Sequence, residues 1–386
     1  MSLLANAALF WVFLAFLFEA VTFKEAIGFR KLCFSSPRKK YKKMKESVSL
    51  IVPFKGLDIN IERNISALLN QDFPLKEFIF IVHGKKDKAY KILEKYASGK
   101  VKVMVSNPPE GYAGKIANLY SAVKAATGDI LLFADSDTMP SKNWASRMVC
   151  KFGEKSVVAA TSYRWYFPIK NTFSSLLKSM WNTVGLEIMS NPKLTYVWGG
   201  SFAIRREAFD RLNILEKWKD ETSDDSVITR ELRKAGYKIN FVPDAVVATM
   251  DNTTFKNFME FANRQVFFVR AYMKTAWATG TIIYSFSTAV LLSGIVSLFH
   301  GFATANSFYQ FIGLLLLLPQ LTNYMKACIR FGALEKMLPE YKKLFEKSLN
   351  KTILLQVLMK PIVNYNLLRV AFRKKIKWRG VEYKLR

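Results

Sequence analysis

Cysteine is scarce in this sequence, with three residues among 386: Cys33, Cys150 and Cys328. The count is odd and no pair has the CxxC spacing, which argues against a disulfide framework and against a zinc site. Acidic residues are also few, since 30 Asp and Glu stand against 58 Lys and Arg and leave a net charge of +28. The expected partners are therefore anions, whether phosphate-bearing substrates, anionic lipid headgroups or nucleic acid.

Apolar runs, in contrast, are abundant: hydrophobic residues make up 51% of the chain and 31 residues are Phe, which indicates that part of it lies in lipid. The first run, residues 3–23, reads LLANAALFWVFLAFLFEAVTF and can span a hydrocarbon core of about 30 Å. Basic residues follow this run instead of preceding it, which favours a retained transmembrane anchor at residues 1–25 over a cleaved signal peptide. A basic juxtamembrane linker at residues 26–47 then places the next domain in the cytoplasm by the positive-inside rule.

Two more apolar runs, TIIYSFSTAVLLSGIVSLFH and SFYQFIGLLLLLPQL, are joined by a short link without charge. They predict a transmembrane hairpin at residues 276–325 that returns the chain to the cytoplasm. A later run, TILLQVLMKPIVNYNLLRVAF, has Lys360 and Pro361 in its middle and basic segments on both sides. We predict that residues 326–386 form an amphipathic interfacial region, built on a pair of helices, and a basic tail.

Between the anchor and the hairpin, short apolar runs alternate with helical patterns. The runs SLIVPF, EFIFIVHG, VKVMVS, DILLFADSD and VVAATSYRW predict buried strands, and the segments between them predict helices. This alternation is typical of an α/β fold with a mostly parallel sheet and helices on both faces. Such sheets bind ligands at the carboxyl ends of their strands.

The strand run DILLFA leads directly into Asp135-Ser136-Asp137. Two acids at a strand end are often part of a turn or a helix cap. Alternatively, Mg²⁺ or Mn²⁺ takes one or two carboxylates as ligands and completes its coordination with water and substrate phosphates. The second interpretation suits a basic protein that binds a nucleotide diphosphate, and both remain open on these residues alone.

Four blocks of the sequence together resemble family 2 type glycosyltransferases with the GT-A fold: VPFKGLDINIERNISALLNQDFP, GYAGKIANLYSAVKAATGDILLFADSDTMP, VWGGSFAIRREAFD and TSDDSVITRELRKAGYKINFVPDAVV. The segment KIANL, the flanking apolar regions and the C-terminal KWRGVEYKLR are similar to the ceramide glucosyltransferase group. The resemblance implies a cytosolic GT-A catalytic domain at residues 48–275, with a mostly parallel sheet, flanking helices and a final interfacial helix.

The resemblance also assigns roles to single residues. It implies metal binding by Asp137, with Mg²⁺ or Mn²⁺ as the cofactor, and metal or ribose contact by Asp135. It places the general base at Asp225, the second acid of the block TSDDS, although acids at a helix start are common caps and Asp224 is the alternative. An inverting transferase needs such a carboxylate to take the proton of the attacking hydroxyl.

Three other positions match the family near the nucleotide or the donor sugar: Pro53, Lys115 and Gly200. Glycine at position 200 would let backbone approach a ligand, although a simple turn also explains it. Any one lysine in so basic a chain is more often surface charge.

The sequence departs from the family in two places. The family's Asp after the second strand is replaced in IFIVHGKKD, where Asp87 is the nearest acid and a substitute for base recognition. The QxxRW signature is incomplete in FANRQVFFVRAY, which keeps Gln265 and offers Arg264 or Arg270 as the guanidinium for the diphosphate. The same segment has an aromatic face beside basic residues, as interfacial helices do.

We therefore predict a multi-pass membrane protein, an inverting glycosyltransferase that moves a hexose such as glucose from a UDP-sugar to a lipid acceptor at the anionic inner leaflet. A processive polysaccharide synthase is the nearest alternative, but the predicted transmembrane spans are too few to form a channel for a polymer. A non-catalytic basic module that binds the membrane surface is the alternative of another class. A nucleic-acid role is disfavoured because the basic residues lie beside apolar spans and no nucleic-acid motif is present.

Overall fold

The computed structural model describes residues 3–35, 45–189, 191–378 and 381–384; the predicted linker falls partly on residues 36–44, outside that set. The strands, numbered along the chain, are β1 (Val48–Pro53), β2 (Glu77–Val82), β3 (Val101–Val105), β4 (Ile130–Ala134), β5 (Ala159–Thr161), β6 (Arg164–Pro168), β7 (Ser201–Arg205), β8 (Ile239–Phe241), β9 (Val247–Asp251), β10 (Lys375–Trp378) and β11 (Val381–Lys384). The α-helices are α1 (Leu3–Ser35), α2 (Ile61–Leu69), α3 (Lys88–Glu94), α4 (Gly114–Ala125), α5 (Trp144–Val149), α6 (Phe173–Trp181), α7 (Thr183–Met189), α8 (Arg206–Arg211), α9 (Ile214–Lys217), α10 (Asp224–Lys234), α11 (Phe255–Tyr272), α12 (Lys274–Ala303), α13 (Ser307–Leu317), α14 (Pro319–Met337), α15 (Lys342–Leu354) and α16 (Gln356–Ala371).

A seven-stranded sheet lies at the centre of the α/β part, with the order β3-β2-β1-β4-β7-β5-β8 among the described residues. Strand β1 pairs in parallel with β2 and β4, and β7 runs antiparallel between β4 and β5. Every residue of β1 and β4 is buried, because α2 packs on one face of the sheet and α4 on the other. Burial on both faces explains the near-continuous apolar runs of these strands. The predicted mostly parallel sheet with flanking helices is confirmed.

The run VVAATSYRW, predicted as one strand, forms two strands in different sheets. Strand β5 ends at Thr161, and β6 begins at Arg164 and pairs in parallel with β9 in a separate two-stranded sheet. Ser162 lies at the break, where its amide donates to Ser201 O at 2.8 Å and its hydroxyl to Val242 O at 2.9 Å. The first bond extends the contact of β5 with β7 by one residue, and the second ties the break to the segment that follows β8, before the chain enters the second sheet at Arg164.

Among the described residues, three helices are long and apolar enough to cross a membrane: Ala5–Ser35, Lys274–Ala303 and Ser307–Met337. Large apolar side chains such as Phe13 and Phe299 point outward from them, at 61% and 76% exposure, as expected of surfaces that face lipid. The chain is therefore membrane-associated. The first and third helices run on past the predicted ends at residues 25 and 325.

The helices α15 and α16 correspond to the predicted interfacial pair. They meet at Leu355, and Pro361 lies inside α16. Neither helix is among the three candidate spans of the described chain. Helix α16 packs against α11, α12 and α14, so its inner side is covered by protein.

One hydrophobic core joins the sheet domain to these helices. Trp165 of β6 packs edge-to-face on Phe331 of α14, with 5.2 Å between the ring centroids. Trp181 of α6 contacts Phe261 of α11 at 5.7 Å and donates a hydrogen bond to Asn366 Oδ1 of α16 at 3.2 Å. The predicted interfacial helix α11 thus lies between the sheet domain and α16, and the carboxyl ends of the strands lie close to the membrane helices.

Candidate active site

The acids of the DSD motif follow β4 directly and point into a large cavity. Thr138 forms the turn, because its hydroxyl donates to Asp135 O at 2.7 Å while Asp135 N donates to Gly200 O at 3.3 Å. The turn is therefore built from backbone oxygens and the threonine hydroxyl. Turn chemistry and a binding site coexist here, since the threonine hydroxyl donates to a backbone oxygen of the turn while both carboxylates bind Arg164.

Arg164, at the start of β6, binds both acids of the motif. Its Nη2 lies 2.8 Å from Asp135 Oδ2 and its Nη1 lies 2.8 Å from Asp137 Oδ2. The guanidinium carbon is 4.5 Å from the centroid of the Trp198 ring, a cation–π contact. Burial alone would lower the pKa of Arg164, but the neighbouring carboxylates of Asp137 and Asp135 raise it above its ordinary value.

Lys115, at the start of α4, joins the motif to the second pair of acids. Its Nζ lies 2.9 Å from Asp135 Oδ1 and 3.4 Å from Asp224 Oδ2, and it donates to Gly199 O at 3.2 Å. Burial opposes the charge of this lysine, but Asp135, Asp224 and Asp225 together raise its pKa. Lys115 is thus paired with the acids of the DSD motif and of α10, and its role toward the nucleotide stays a prediction.

The two acids at the start of α10 have different surroundings. Asp225 accepts hydrogen bonds from Ser226 N and Gly199 N, both at 2.8 Å, and from the Ser223 hydroxyl at 2.6 Å. Asp224 is buried, and its Oδ2 accepts no hydrogen bond from the described residues. Burial raises the pKa of Asp224 to about 7; Lys115 opposes this rise, and Asp225 and Asp135 add to it.

Two glycines allow this close packing. A Cβ on Gly200 would lie 2.2 Å from the Trp198 ring and 2.6 Å from Asp135 Oδ2. A Cβ on Gly199 would lie 2.9 Å from both Asp224 Oδ2 and Lys115 Nζ. Close approach of side chains to the backbone, and not a positive φ angle, therefore excludes larger residues here.

We name the group formed by these side chains the acidic cluster: Lys115, Asp135, Asp137, Arg164, Asp224 and Asp225. It lines one end of a cavity of about 1850 Å³. Pro53, Gly200, Arg264 and Gln265, predicted to contact the donor, also line this cavity. Its other end lies between α1, α12, α14 and α16, where Phe29, Tyr284, Lys326 and Met359 form part of the wall.

Two predicted residues do not line the cavity. Asp87 caps α3, where it accepts from Ala89 N at 2.9 Å, and it also accepts from Gly56 N at 2.9 Å. Arg270 donates to the carbonyl oxygens of Val370 and Arg373, at 2.7 and 2.9 Å, and so holds the end of α16. Both side chains are engaged in these local bonds, so the structure does not bring them to the acidic cluster.

Arg164 has no counterpart among the predicted site residues. The available signal was its place at the end of a predicted strand, VVAATSYRW, on the same edge of the sheet as the DSD motif. That signal was weak because many basic residues follow strands in this chain. The contact became visible only after the chain had turned at Ser162 into the second sheet.

The acidic cluster fits a divalent cation. Asp137 Oδ1 is buried and accepts no hydrogen bond from the described residues, whereas its Oδ2 binds Arg164. No group of three or more His, Cys, Asp or Glu side chains that could hold a metal occurs among the residues described. An open carboxylate oxygen without a protein-only cage suits a cation that is also bound by substrate phosphates.

Comparison with known proteins identifies the family. The family model described as Glycosyl transferase family 21 matches residues 9–386. The chain is similar to the Probable glycosyltransferase YdaM of Bacillus subtilis, with 25% identity over 228 residues that cover 55% of the chain and 53% of the relative. It is also similar to Ceramide glucosyltransferase 3 of Caenorhabditis elegans, with 22% identity over 50% of the chain and 43% of the relative. The chain thus spans about half the length, or less, of these curated relatives.

Among solved structures, the mannosyltransferase PcManGT from Pyrobaculum calidifontis, in complex with GDP-Man and Mn²⁺, resembles the chain with a TM-score of 0.52. The two share 15% sequence identity, and the match covers 96% of this chain and 99% of that one. This likeness concerns the fold, which agrees with the predicted GT-A-like sheet and flanking helices. The family match covers nearly the whole chain and confirms the resemblance found in the sequence blocks: the chain belongs to glycosyl transferase family 21.

Proposed function

We propose that this protein is a membrane-bound inverting glycosyltransferase, which moves a hexose such as glucose from a UDP-sugar to a lipid acceptor with the help of Mg²⁺ or Mn²⁺. One observation carries the proposal: the cavity that holds the acidic cluster continues between the membrane helices. A water-soluble donor can enter at the carboxyl ends of the strands, and a lipid can reach the same cavity from the bilayer. The similarity to ceramide glucosyltransferases supports a lipid acceptor.

The donor side of the site would hold the diphosphate. Asp137, with its open Oδ1, and Asp135 would bind the metal ion, and the Mn²⁺ named with the structurally similar mannosyltransferase is consistent with this role. When bound, the ion neutralises charge that develops on the leaving diphosphate. Lys115 and Arg164 lie beside the same acids, so both cations would contact the phosphate oxygens of a donor bound there. The forked guanidinium of Arg164 is well shaped for such oxygens.

The acceptor side would use Asp225 as the general base. Its carboxylate takes the proton of the acceptor hydroxyl, the hydroxyl oxygen forms the new bond to C1 of the sugar, and the C1–O bond to the diphosphate breaks on the opposite face. Gly199 N and the Ser223 hydroxyl hold this carboxylate in place through hydrogen bonds of 2.8 and 2.6 Å. Asp224 would act as a positioning residue, because it faces Lys115 at 3.4 Å.

The membrane arrangement follows from the charges near the spans. Lys24, Arg30 and Lys31 lie toward the end of α1 that precedes the sheet domain. By the positive-inside rule this end, the catalytic domain and the anionic leaflet it contacts are cytoplasmic. With three candidate spans in the described chain, a lipid that receives one sugar suits the protein better than a growing polysaccharide does.

The test is a screen of purified full-length protein with UDP-sugars and GDP-sugars, total lipid extract and Mn²⁺ or Mg²⁺, analysed by mass spectrometry. We expect one nucleotide sugar to be consumed with the release of nucleoside diphosphate, and one lipid class to gain the mass of a hexose. The reaction should stop with EDTA and resume with added metal. Asp210→Asn, an exposed acid on α8 outside the cavity, is the matched control for variants of the acidic cluster.

If no nucleotide sugar binds or reacts under these conditions, the non-catalytic membrane-surface module becomes the better interpretation. A product ladder with many added sugars would instead support the polysaccharide synthase. Transfer to one lipid that persists unchanged in EDTA would contradict the metal dependence alone.

A further inference from the structure

The membrane end of the cavity carries buried charges. Glu19 of α1 accepts from Lys326 Nζ at 2.6 Å on one oxygen and from Lys360 Nζ at 2.8 Å on the other. Thr322 adds a third donor to this carboxylate at 2.8 Å. Glu19 and Lys326 are 4% and 3% exposed, so these are charges removed from water. We name Glu19, Asn323, Lys326 and Lys360 the lysine cluster.

The lysine cluster has more positive than negative charge. One carboxylate faces two amino groups, which leaves a net charge of +1 when all three groups are ionised. Removing ions from water is costly unless an opposite charge lies nearby, and in membrane segments unbalanced charges mark binding sites. The site therefore attracts anions.

An open hydrogen-bond donor lies in the same place. Asn323 is 2% exposed and lines the cavity, and its Nδ2 donates to no atom of the described residues. It precedes Lys326 by three positions on α14, so both side chains lie on one face of the helix. A buried amide without a partner costs free energy, which a ligand oxygen between Asn323 and the lysines would recover. Gln356 Oε1, also buried and without a donor among the described residues, suits a headgroup hydroxyl.

The depth of the cluster matches a lipid headgroup. Lys326 follows Ser307, the first residue of its candidate span, by 19 positions (307 to 326), or about 28 Å at the rise of an α-helix. The hydrocarbon core of a bilayer is about 30 Å thick. A hydrocarbon core that begins at Ser307 would therefore end close to Lys326, which puts the cluster at the level where lipid phosphates begin.

We infer that the lysine cluster binds the phosphate of an anionic lipid, and that the acceptor is a phosphate-bearing lipid with its chains between α1, α12, α14 and α16. This inference rests on the proposed function and specifies its acceptor class. Lys326, Lys360 and Asn323 supply donors to the phosphate, while Glu19 keeps the two lysines side by side. A neutral lipid of the same shape would leave the excess charge and the open amide without a partner.

The experiment measures lipid binding by native mass spectrometry of the full chain in a non-ionic detergent. Dioleoylphosphatidylglycerol is compared with dioleoylglycerol, which has the same chains and no phosphate, and polyprenyl phosphate is compared with ceramide. We expect each phosphate-bearing lipid to bind about tenfold more tightly than its neutral counterpart, as one charge-assisted hydrogen-bonded contact would produce. Soluble glycerol 3-phosphate should fail to compete at the same concentrations, because it lacks the chains.

Three variants separate binding from folding. Lys326→Gln and Asn323→Asp should both reduce binding of the phosphate-bearing lipids to the level of the neutral ones, and Lys326→Arg should restore it. Asn323→Asp places a negative charge on the same face of α14 as Lys326, so it should repel a phosphate while Lys326 keeps its bond to Glu19. Lys336→Gln removes the same charge from an exposed position on α14 outside the cavity and should bind like the unaltered protein.

Donor hydrolysis in the same preparations distinguishes the two proposals. If hydrolysis is present while the two dioleoyl lipids bind equally, or while Lys326→Gln weakens both equally, the lipid inference is overturned and the proposed function stands. Competition by glycerol 3-phosphate as strong as that of the lipid also overturns it, since the cluster would then bind a free phosphate. If no donor is hydrolysed by the unaltered protein, the proposed function itself fails.

Discussion

The acidic cluster and the lysine cluster lie at opposite ends of one cavity and have opposite electrostatics. The acidic cluster contains four carboxylates and two cations, for a net charge of −2 when all are ionised, and it has an open acceptor at Asp137 Oδ1. The lysine cluster has one carboxylate and two ammonium groups, with an open donor at Asn323 Nδ2. The first is suited to a divalent cation and the second to an anion. This difference is the basis for proposing that the two ends bind different partners of one reaction.

The largest expected effect is that of Asp225→Asn, which removes the proposed proton acceptor from the acidic end only. We expect transfer to fall by about 10³ to 10⁴ fold, while the KM for the nucleotide sugar changes little, because general-base catalysis acts on the transition state. Initial rates over a range of donor concentrations would measure both quantities, with Asp210→Asn as the control. If Asp225→Asn keeps most of its transfer activity, the role of general base would pass to Asp224.

The next effect concerns pH. Because burial raises the pKa of Asp224 from 3.8 to about 7, its contribution to stability is complete below pH 3.8 and is lost as the pH rises through 7. The loss amounts to at most about 4 kcal/mol at 1.36 kcal/mol per pKa unit. Asp224→Asn does not titrate, so the variant should gain stability relative to the unaltered protein between pH 4 and 8. Thermal unfolding midpoints across that range would test this, and parallel curves for the two proteins would contradict it.

Asp137→Asn tests whether the open Oδ1 of Asp137 is a metal ligand. The neutral amide is a weaker metal ligand, so we expect donor binding in the presence of Mn²⁺ to weaken by about 10² fold, in the range seen when one electrostatic group is removed from a site. Isothermal titration with the nucleoside diphosphate, with and without Mn²⁺, would measure this. The lysine cluster should be unaffected, so lipid binding should stay the same in this variant; a loss of lipid binding would mean that the two ends are not independent.

The smallest effect is that of Arg164→Lys, which keeps the positive charge in the acidic cluster but removes the forked guanidinium group. A single ammonium cannot bind Asp135 and Asp137 with the geometry of a guanidinium. We expect kcat/KM to fall by about tenfold, since one charge-assisted hydrogen bond is lost. Arg211→Lys, in an exposed pair with Glu207, is the control. Activity equal to that of the unaltered protein would show that charge alone matters at this position.

Much of the α/β part was predictable from sequence. Strands buried on both faces leave continuous apolar runs, and the run of β4 leads directly into the DSD motif, so strand and site were visible together. The weaker predictions were those in which a side chain has a local use. Asp87 caps α3 and Arg270 holds the end of α16, and neither use follows from the family motif.

The sequence by itself determined the fold class, the three long apolar helices and the place of the acids at a strand end, because each is encoded by residues that are neighbours in the chain. Only the tertiary structure decided which charges meet. Glu19 binds Lys326 and Lys360 across 307 and 341 positions, and Arg164 meets the DSD acids after a change of sheet. Electrostatic pairing depends on distances of a few ångströms in space, and those distances are set by how the helices pack.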